Sequence, residues 1–169
     1  VDGDTAKNKF PTFKPPVRLS KTIHYVMPSY VNGQLRVLTP GVEYDDFASH
    51  GLENGIPLTV PKTVHTPTGN APGARANKIR HNQWRYADYD GDGPLDLIVG
   101  IEDWGDYGWD DAWDASGKWT NGPLHGFVYL LRNNGTIDEP KYGTPEKVQA
   151  GGKPVDTFGC PTPNFEDFD

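Results

Sequence analysis

The chain has 169 residues, a net charge of −7 and one cysteine, and it is long enough for one domain with a sizeable hydrophobic core. The acidic balance argues against a nucleic-acid partner, because phosphate neutralisation needs clustered Lys and Arg. No apolar run approaches the roughly 18 residues of a membrane span. The single Cys160 excludes an internal disulfide, and a buried, unreactive thiol is favoured over a redox or catalytic role. Twenty glycines and 16 prolines, with few helix-period stretches, predict an all-β fold.

The first strong local signal is the dipeptide Asn32-Gly33, since both residues accept the positive φ angles of a two-residue hairpin turn. Residues 29–31 and 34–38 flank this turn and are predicted to be its strands, with residues 23–26 as a third strand. Prolines between residues 39 and 82 exclude long strand ladders there. Residues 22–82 are therefore predicted to be a hairpin followed by a long irregular stretch.

An acidic loop in the middle of the chain is the strongest candidate for a functional site. Its four carboxylates occupy positions 1, 3, 5 and 9, and they repel one another unless a cation lies among them. Hard oxygen ligands at this spacing suit calcium, and the glycine at position 6 permits the turn that aims the carbonyl of position 7 at the same ion. The predicted calcium ligands are Asp88, Asp90, Asp92, the carbonyl of Pro94, and Asp96.

The segments around the acidic loop favour strands over helices. An EF-hand needs a bidentate Glu at position 12 and a helix on each side, whereas position 12 here is Val99. Residues 83–87 carry Trp and Tyr, and residues 95–99 form an apolar run. Because this run is apolar on both faces, we expect it to lie between two layers. A third strand is predicted over residues 124–132. The glycine at position 6 and the apolar strand fit the pattern of a calcium loop as well as the acids do. A solvated turn that binds nothing is therefore disfavoured.

The combination of strand, acidic loop and apolar strand resembles the calcium loop of FG-GAP and VCBS repeats, the blades of integrin-type β-propellers, including secreted bacterial propellers linked to polysaccharide degradation. The resemblance covers about residues 80–169 well. It implies a four-stranded antiparallel blade over residues 83–150, with the calcium loop at 88–96. By the same resemblance, residues 151–169 begin another blade and residues 1–21 end an earlier one. One blade buries its faces only against neighbours, so we expect the remaining blades to lie in the same or another chain.

Residues 101–123 form a long insertion where the family usually has a tight turn, and they hold four of the five tryptophans. Connections in an antiparallel blade alternate between its two ends, so the insertion is predicted to lie opposite the calcium loop. Residues 75–81 and 150–156 should converge on it. Exposed aromatic rings among acids suit sugar binding, although the same tryptophans could simply anchor a long loop. The candidate ligand-binding residues are Trp104, Tyr107, Trp109, Trp113, Asp111 and Lys153.

Two kinds of catalysis are compatible with this face. Asp106 paired with Asp110 or Asp111 could act as acid and base in a glycoside hydrolase. A histidine with Tyr107 and an arginine could instead abstract a proton beside a uronate carboxylate, as in a polysaccharide lyase, although each histidine alone is more often structural. The candidate catalytic residues are His81, Arg80, Tyr107, His125, Asp106 and Asp110.

The sequence thus leaves two functions open. The first is a calcium-binding propeller segment that binds a polysaccharide or glycan, with or without cleaving it. The alternative is a non-catalytic adhesion or protein-interaction propeller. Calcium loops of weak to moderate affinity fill where calcium is abundant, so we expect a secreted, periplasmic or cell-surface protein.

Overall fold

The described part of the chain consists of antiparallel sheets with almost no helix, which confirms the all-β prediction. The computed structural model describes residues 13–61, 79–108 and 111–165, except for the side chains of residues 79–81. In these ranges, no helix has the length and apolar character that crossing a bilayer requires. The elements are β1 (Met27–Val31), β2 (Gln34–Thr39), β3 (Val42–Tyr44), α1 (Phe47–His50), β4 (Ile56–Pro57), β5 (Ile79–Ala87), β6 (Asp96–Asp103), β7 (His125–Leu131), β8 (Glu146–Lys147), β9 (Gln149–Ala150), β10 (Lys153–Pro154) and β11 (Asp156–Thr157).

The hairpin sheet contains strands β1 to β4 in chain order. Its first turn is the predicted one, with φ angles of 50° at Asn32 and 76° at Gly33. The prediction of a strand over residues 23–26 was wrong. Tyr25 has a φ of 57°, in the left-handed region, so the extended backbone begins only at Met27. The third strand is instead β3, inside the stretch that the prolines had marked as irregular.

The central sheet has the order β11, β7, β6, β5, and its strands β5, β6 and β7 form the predicted antiparallel meander. Two short strands share the outer edge of β7. Strand β11 pairs with Gly126 and Phe127, and strand β8 pairs with Tyr129 and Leu130. Within the described ranges no sheet closes on itself, so the propeller stays a prediction.

Strand β6 is buried on both faces, as its apolar sequence predicts. One face contributes Leu97, Val99 and Ile101 to a cluster that includes Trp84 of the central sheet and Leu38 of the hairpin sheet. The hairpin sheet therefore packs on this face. The other face forms a smaller cluster of Ile98, Val128 and Leu130, packed against Val148 and Val155.

The segment from residue 158 to residue 163 covers the second face with backbone carbonyl groups and with the Pro163 ring. A Cβ added at Gly100 would lie 2.3 Å from the carbonyl oxygen of Pro161, and one added at Gly126 would lie 2.1 Å from that of Gly159. Neither position has room for a side chain. The two glycines therefore let an irregular segment lie directly on strands β6 and β7.

Candidate functional site

The acidic loop joins strands β5 and β6 and brings three carboxylates together. One oxygen each from Asp88, Asp90 and Asp92 lies within 4.8 Å of the other two, and all three residues are exposed. Gly91 and Gly93 turn the loop with φ angles of 76° and 101°, which glycine adopts at little cost. The Gly93 N–H donates a hydrogen bond of 3.2 Å to the Asp88 carboxylate. The sequence predicted four carboxylates around one ion, and the structure brings three of them together.

The charges of this loop are only partly compensated by the protein. Partial desolvation and the neighbouring carboxylates, with Asp90 first among them, raise the pKa of Asp92. The Arg132 guanidinium forms an ion pair with Asp90 and lies over the Tyr89 ring, 5.7 Å from its centroid. Carboxylate oxygens in this arrangement fit a hard divalent cation, without by themselves distinguishing calcium from similar ions.

Asp96, the fourth predicted carboxylate ligand, is 1% exposed and lies outside the group of three. Its Oδ2 accepts a hydrogen bond of 3.2 Å from the Tyr89 N–H, and its Oδ1 accepts one of 2.7 Å from the Asn133 N–H. These two bonds fasten the acidic loop to the turn that follows strand β7. Pro94 lies in the same loop, and the role of its carbonyl as a ligand stays a prediction.

The aromatic residues of the insertion form a column in which each ring contacts the next. Tyr107 meets Trp104 edge-on at 5.3 Å and stacks on Trp119 at 4.2 Å, and Trp113 meets Trp119 edge-on at 5.2 Å. Trp104, at the base of the column, is 8% exposed, whereas Trp113 is 59% exposed. Of the predicted sugar-binding rings, Trp104 and Tyr107 therefore anchor the insertion, and among the described residues of the insertion Trp113 offers a large exposed aromatic surface.

The backbone of the insertion is fixed by its own hydrogen bonds. The Asn121 amide donates to the Tyr107 carbonyl over 2.8 Å, and the Asp114 carboxylate accepts from the N–H groups of Ser116 and Lys118. A hydrogen bond of 2.6 Å from the Ser116 hydroxyl, and after it these backbone bonds, lower the pKa of Asp114. Asp111, one of the candidate ligand-binding residues, is exposed in the insertion.

Two other predicted residues of this face, Trp109 and Asp110, lie outside the described residues.

The structure brings part of the predicted convergence together at the end of the central sheet opposite the acidic loop. Asp103, at the end of β6, pairs with His125, at the start of β7, and Phe127 pairs with Asp156 of β11. Lys153, a candidate ligand, is exposed in the separate β9–β10 ribbon. Of the basic residues expected here, Arg75 and Lys78 lie outside the described residues. Arg80 and His81 belong to β5 at a ladder irregularity, and their side chains are outside the description.

His125 links the insertion to strand β11 through both ring nitrogens. Its Nδ1 lies 2.6 Å from the Asp156 carboxylate, and its Nε2 lies 3.3 Å from that of Asp106. The ring also stacks on Phe127, with 5.1 Å between centroids. Burial by itself lowers the pKa of His125, but the two carboxylates, Asp156 more than Asp106, outweigh it and raise the pKa. Sequence reasoning missed Asp156 as a partner, since only the pairing of β11 with β7 brings it to the histidine.

In comparisons with protein-family models, with curated proteins and with solved structures, nothing matches this chain. The resemblance to FG-GAP and VCBS repeats thus depends on the acidic loop and its flanking strands alone. Both features are present in the fold, since the acidic loop brings three carboxylates together and joins the paired strands β5 and β6.

Proposed function

We propose that this protein is a calcium-binding, blade-like β-sheet segment of a secreted or cell-surface propeller, and that it binds a polysaccharide through the tip of its insertion. The observation that carries the proposal is the approach of three carboxylates within 4.8 Å on a loop between two strands. A loop of this kind needs a cation to relieve its repulsion. Calcium-rich surroundings outside the cytoplasm would supply it.

Calcium is favoured over magnesium by the nature of the ligands. Magnesium requires near-ideal octahedral geometry and keeps several of its waters, whereas calcium accepts irregular sets of six to eight oxygens. An exposed loop with three aspartates and free access for water suits the second case. The Arg132 cation beside Asp90 would compete with the metal and keep the affinity moderate.

The metal proposal is tested by calorimetric and thermal titration of chelator-treated protein. Calcium should bind and stabilise the fold by about 3 kcal/mol when its concentration is 100 times the dissociation constant, and magnesium should do much less. The variant Asp92→Asn should lose the calcium response, while Asp45→Asn, a matched change at an exposed aspartate outside the loop, should keep it. Equal calcium binding by Asp92→Asn and the unmodified protein would exclude the site.

The polysaccharide proposal depends on Trp113. Its ring is exposed at the tip of the insertion, and its edge-on contact with Trp119 holds it in place. A fixed, exposed indole can stack on the apolar face of a sugar ring without losing much conformational entropy on binding. Asp111, two residues away and exposed, can accept hydrogen bonds from sugar hydroxyls.

Affinity electrophoresis in gels that contain soluble polysaccharides tests this surface. Trp113→Ala should weaken the retardation by several-fold to about tenfold, the usual scale of one aromatic contact. Phe158→Ala removes a ring that is 80% exposed elsewhere and should have no effect. If Trp113→Ala leaves polysaccharide retardation unchanged and abolishes a protein contact instead, the adhesion function is the correct one.

Cleavage is the less supported part of the function. Both ring nitrogens of His125 face carboxylates, which favours a structural link over proton abstraction from a substrate. Release of reducing ends, or absorbance of an unsaturated uronate product, measured on the polysaccharide that binds, would identify an enzyme. Binding without either signal would identify a binding module.

A further inference from the structure

A cavity of about 360 Å³ lies between the hairpin sheet and the central sheet, at the end that carries the acidic loop. Its volume falls within the range of about 300–1,000 Å³ that is typical of ligand pockets. Three segments far apart in sequence form its walls. They are strands β2 to β4, the end of β5, and the turn after β7, and they contribute among others Arg36, Glu43, Leu58, Tyr86 and Tyr142.

Four polar side chains in this wall form one connected network. Glu43 is 6% exposed, and its Oε1 lies 2.5 Å from the Arg36 Nε. The Tyr86 hydroxyl donates a hydrogen bond to Glu43, and the Tyr142 hydroxyl is hydrogen-bonded to Tyr86. Burial raises the pKa of Glu43 despite the neighbouring Arg36, and it raises the pKa of Tyr142 to about 12. A buried carboxylate and its hydrogen-bonded neighbours at the wall of a cavity point to a ligand that shares their hydrogen bonds.

We propose that this cavity binds one small, neutral, polyhydroxylated molecule, a single sugar ring. A carboxylate accepts hydrogen bonds from hydroxyls, a guanidinium donates to them, and tyrosine hydroxyls do both, so Glu43, Arg36 and Tyr142 together suit neighbouring hydroxyl groups. Leu58 and Ile137 supply apolar wall for the C–H face of the ring. The site lies at the opposite end of the central sheet from Trp113, and its existence does not depend on the proposed polysaccharide surface.

The charges of the cavity select against ionic ligands. An anion attracted by Arg36 would also meet the Glu43 carboxylate, and a cation attracted by Glu43 would meet the guanidinium. The pair cancels its own charge, while the rest of the Arg36 side chain, 32% exposed, still reaches the wall. A neutral molecule with many hydroxyls can form hydrogen bonds with both Arg36 and Glu43. Its binding does not bury one of these charges without the other.

Saturation-transfer NMR on the full chain with D-glucose, D-galactose and D-mannose as probes tests this site. At least one hexose should receive saturation and shift the backbone amides around Glu43 and Tyr142. Glu43→Gln should weaken its binding about tenfold, because a hydrogen bond to a charged group is lost. Tyr142→Phe keeps the ring and should weaken binding a few-fold. If Glu43→Gln does not fold, as judged by circular dichroism, Tyr142→Phe decides.

Two controls separate this site from the rest of the molecule. Glu53→Gln makes the same chemical change at an exposed glutamate outside the cavity and should leave hexose affinity unchanged. Trp113→Ala should leave the hexose-induced shifts of the amides around Glu43 and Tyr142 unchanged, even if polysaccharide retardation is lost. Saturation of none of the three hexoses, amide shifts confined to the insertion, or unaltered affinity in Tyr142→Phe would each overturn the proposal.

Discussion

The two ends of the central sheet hold aspartates in opposite ways. At one end, Asp88, Asp90 and Asp92 crowd an exposed loop and raise the pKa of Asp92 by their mutual repulsion and partial desolvation. At the other end, Asp106 and Asp156 lie on either side of His125, whose pKa they raise. Aspartate carboxylates thus repel one another at one end of the sheet, where a cation would relieve the repulsion, and form ion pairs with a histidine at the other end.

The comparison shows that a count of acids does not identify a binding site. The insertion holds six acids and the loop four, but Asp114 accepts hydrogen bonds from backbone N–H groups and Asp106 meets an imidazole. Donors within the fold make those carboxylates structural. The carboxylates of the loop have few such donors, so a cation that compensates them would have to come from outside the fold. Four changes to the protein or its conditions test this contrast.

The largest effect is expected for Trp104→Ala at the base of the aromatic column. The ring is 8% exposed and supports Tyr107, so its removal leaves a cavity and should cost about 3–5 kcal/mol of unfolding free energy. Urea unfolding measures this loss, and near-ultraviolet circular dichroism should show loosening of the insertion. Trp113→Ala is the control and should change stability by less than about 0.5 kcal/mol. Equal losses of unfolding free energy in the two variants would contradict the role of Trp104 as the anchor of the aromatic column.

Next in size is Asp96→Asn in chelator-treated protein. One carboxylate oxygen becomes an amide that faces an N–H donor, so a buried hydrogen bond to Tyr89 or Asn133 is lost, at a cost of about 2–3 kcal/mol. Asp92→Asn under the same conditions should be neutral or stabilising, because it relieves repulsion. Thermal melting of both variants without calcium separates a structural aspartate from a metal ligand. A stability loss in Asp92→Asn equal to that in Asp96→Asn would show that the two positions do not differ.

A smaller effect should come from pH at the insertion end. The folded-state pKa of His125 lies above its ordinary value of 6.5, so its ion pairs contribute full stability below that value. The contribution is lost as the pH rises through the raised pKa. Unfolding free energies measured from mildly acidic to mildly alkaline pH should therefore fall, and His125→Gln should remove this part of the slope. An NMR titration of the His125 ring gives the pKa directly, and a normal or lowered value would refute the link.

The smallest effect is expected for Arg132→Gln at the loop end. The pair with Asp90 is solvent-exposed, so its loss should cost less than about 1 kcal/mol without metal. Calcium affinity should rise, because a competing positive charge has been removed. Calorimetric titration measures the change, with Lys118→Gln in the insertion as the charge-matched control. A fall in calcium affinity would mean that Arg132 helps to order the loop and does not compete with the metal for Asp90.

Parts of both sheets were predictable because their signals are local. The Asn32-Gly33 turn, the apolar run of β6 and the acidic loop each specify their structure within a few residues. The pairing of His125 with Asp156, 31 residues apart, depends on how β11 joins the edge of β7. The cavity beside Glu43 likewise forms only when the two sheets pack. Such contacts between distant segments leave no periodic trace in a single sequence.

The pinning of the loop by Asp96 has a thermodynamic consequence for ion capture. Hydrogen bonds from the N–H groups of Tyr89 and Asn133 to Asp96 fix the end of the loop in the folded protein. For the proposed cation site, part of the entropy needed to arrange the loop backbone is therefore lost on folding rather than on binding, as in a preorganised receptor. The affinity would then depend more on how many of its waters the ion exchanges for the three carboxylates.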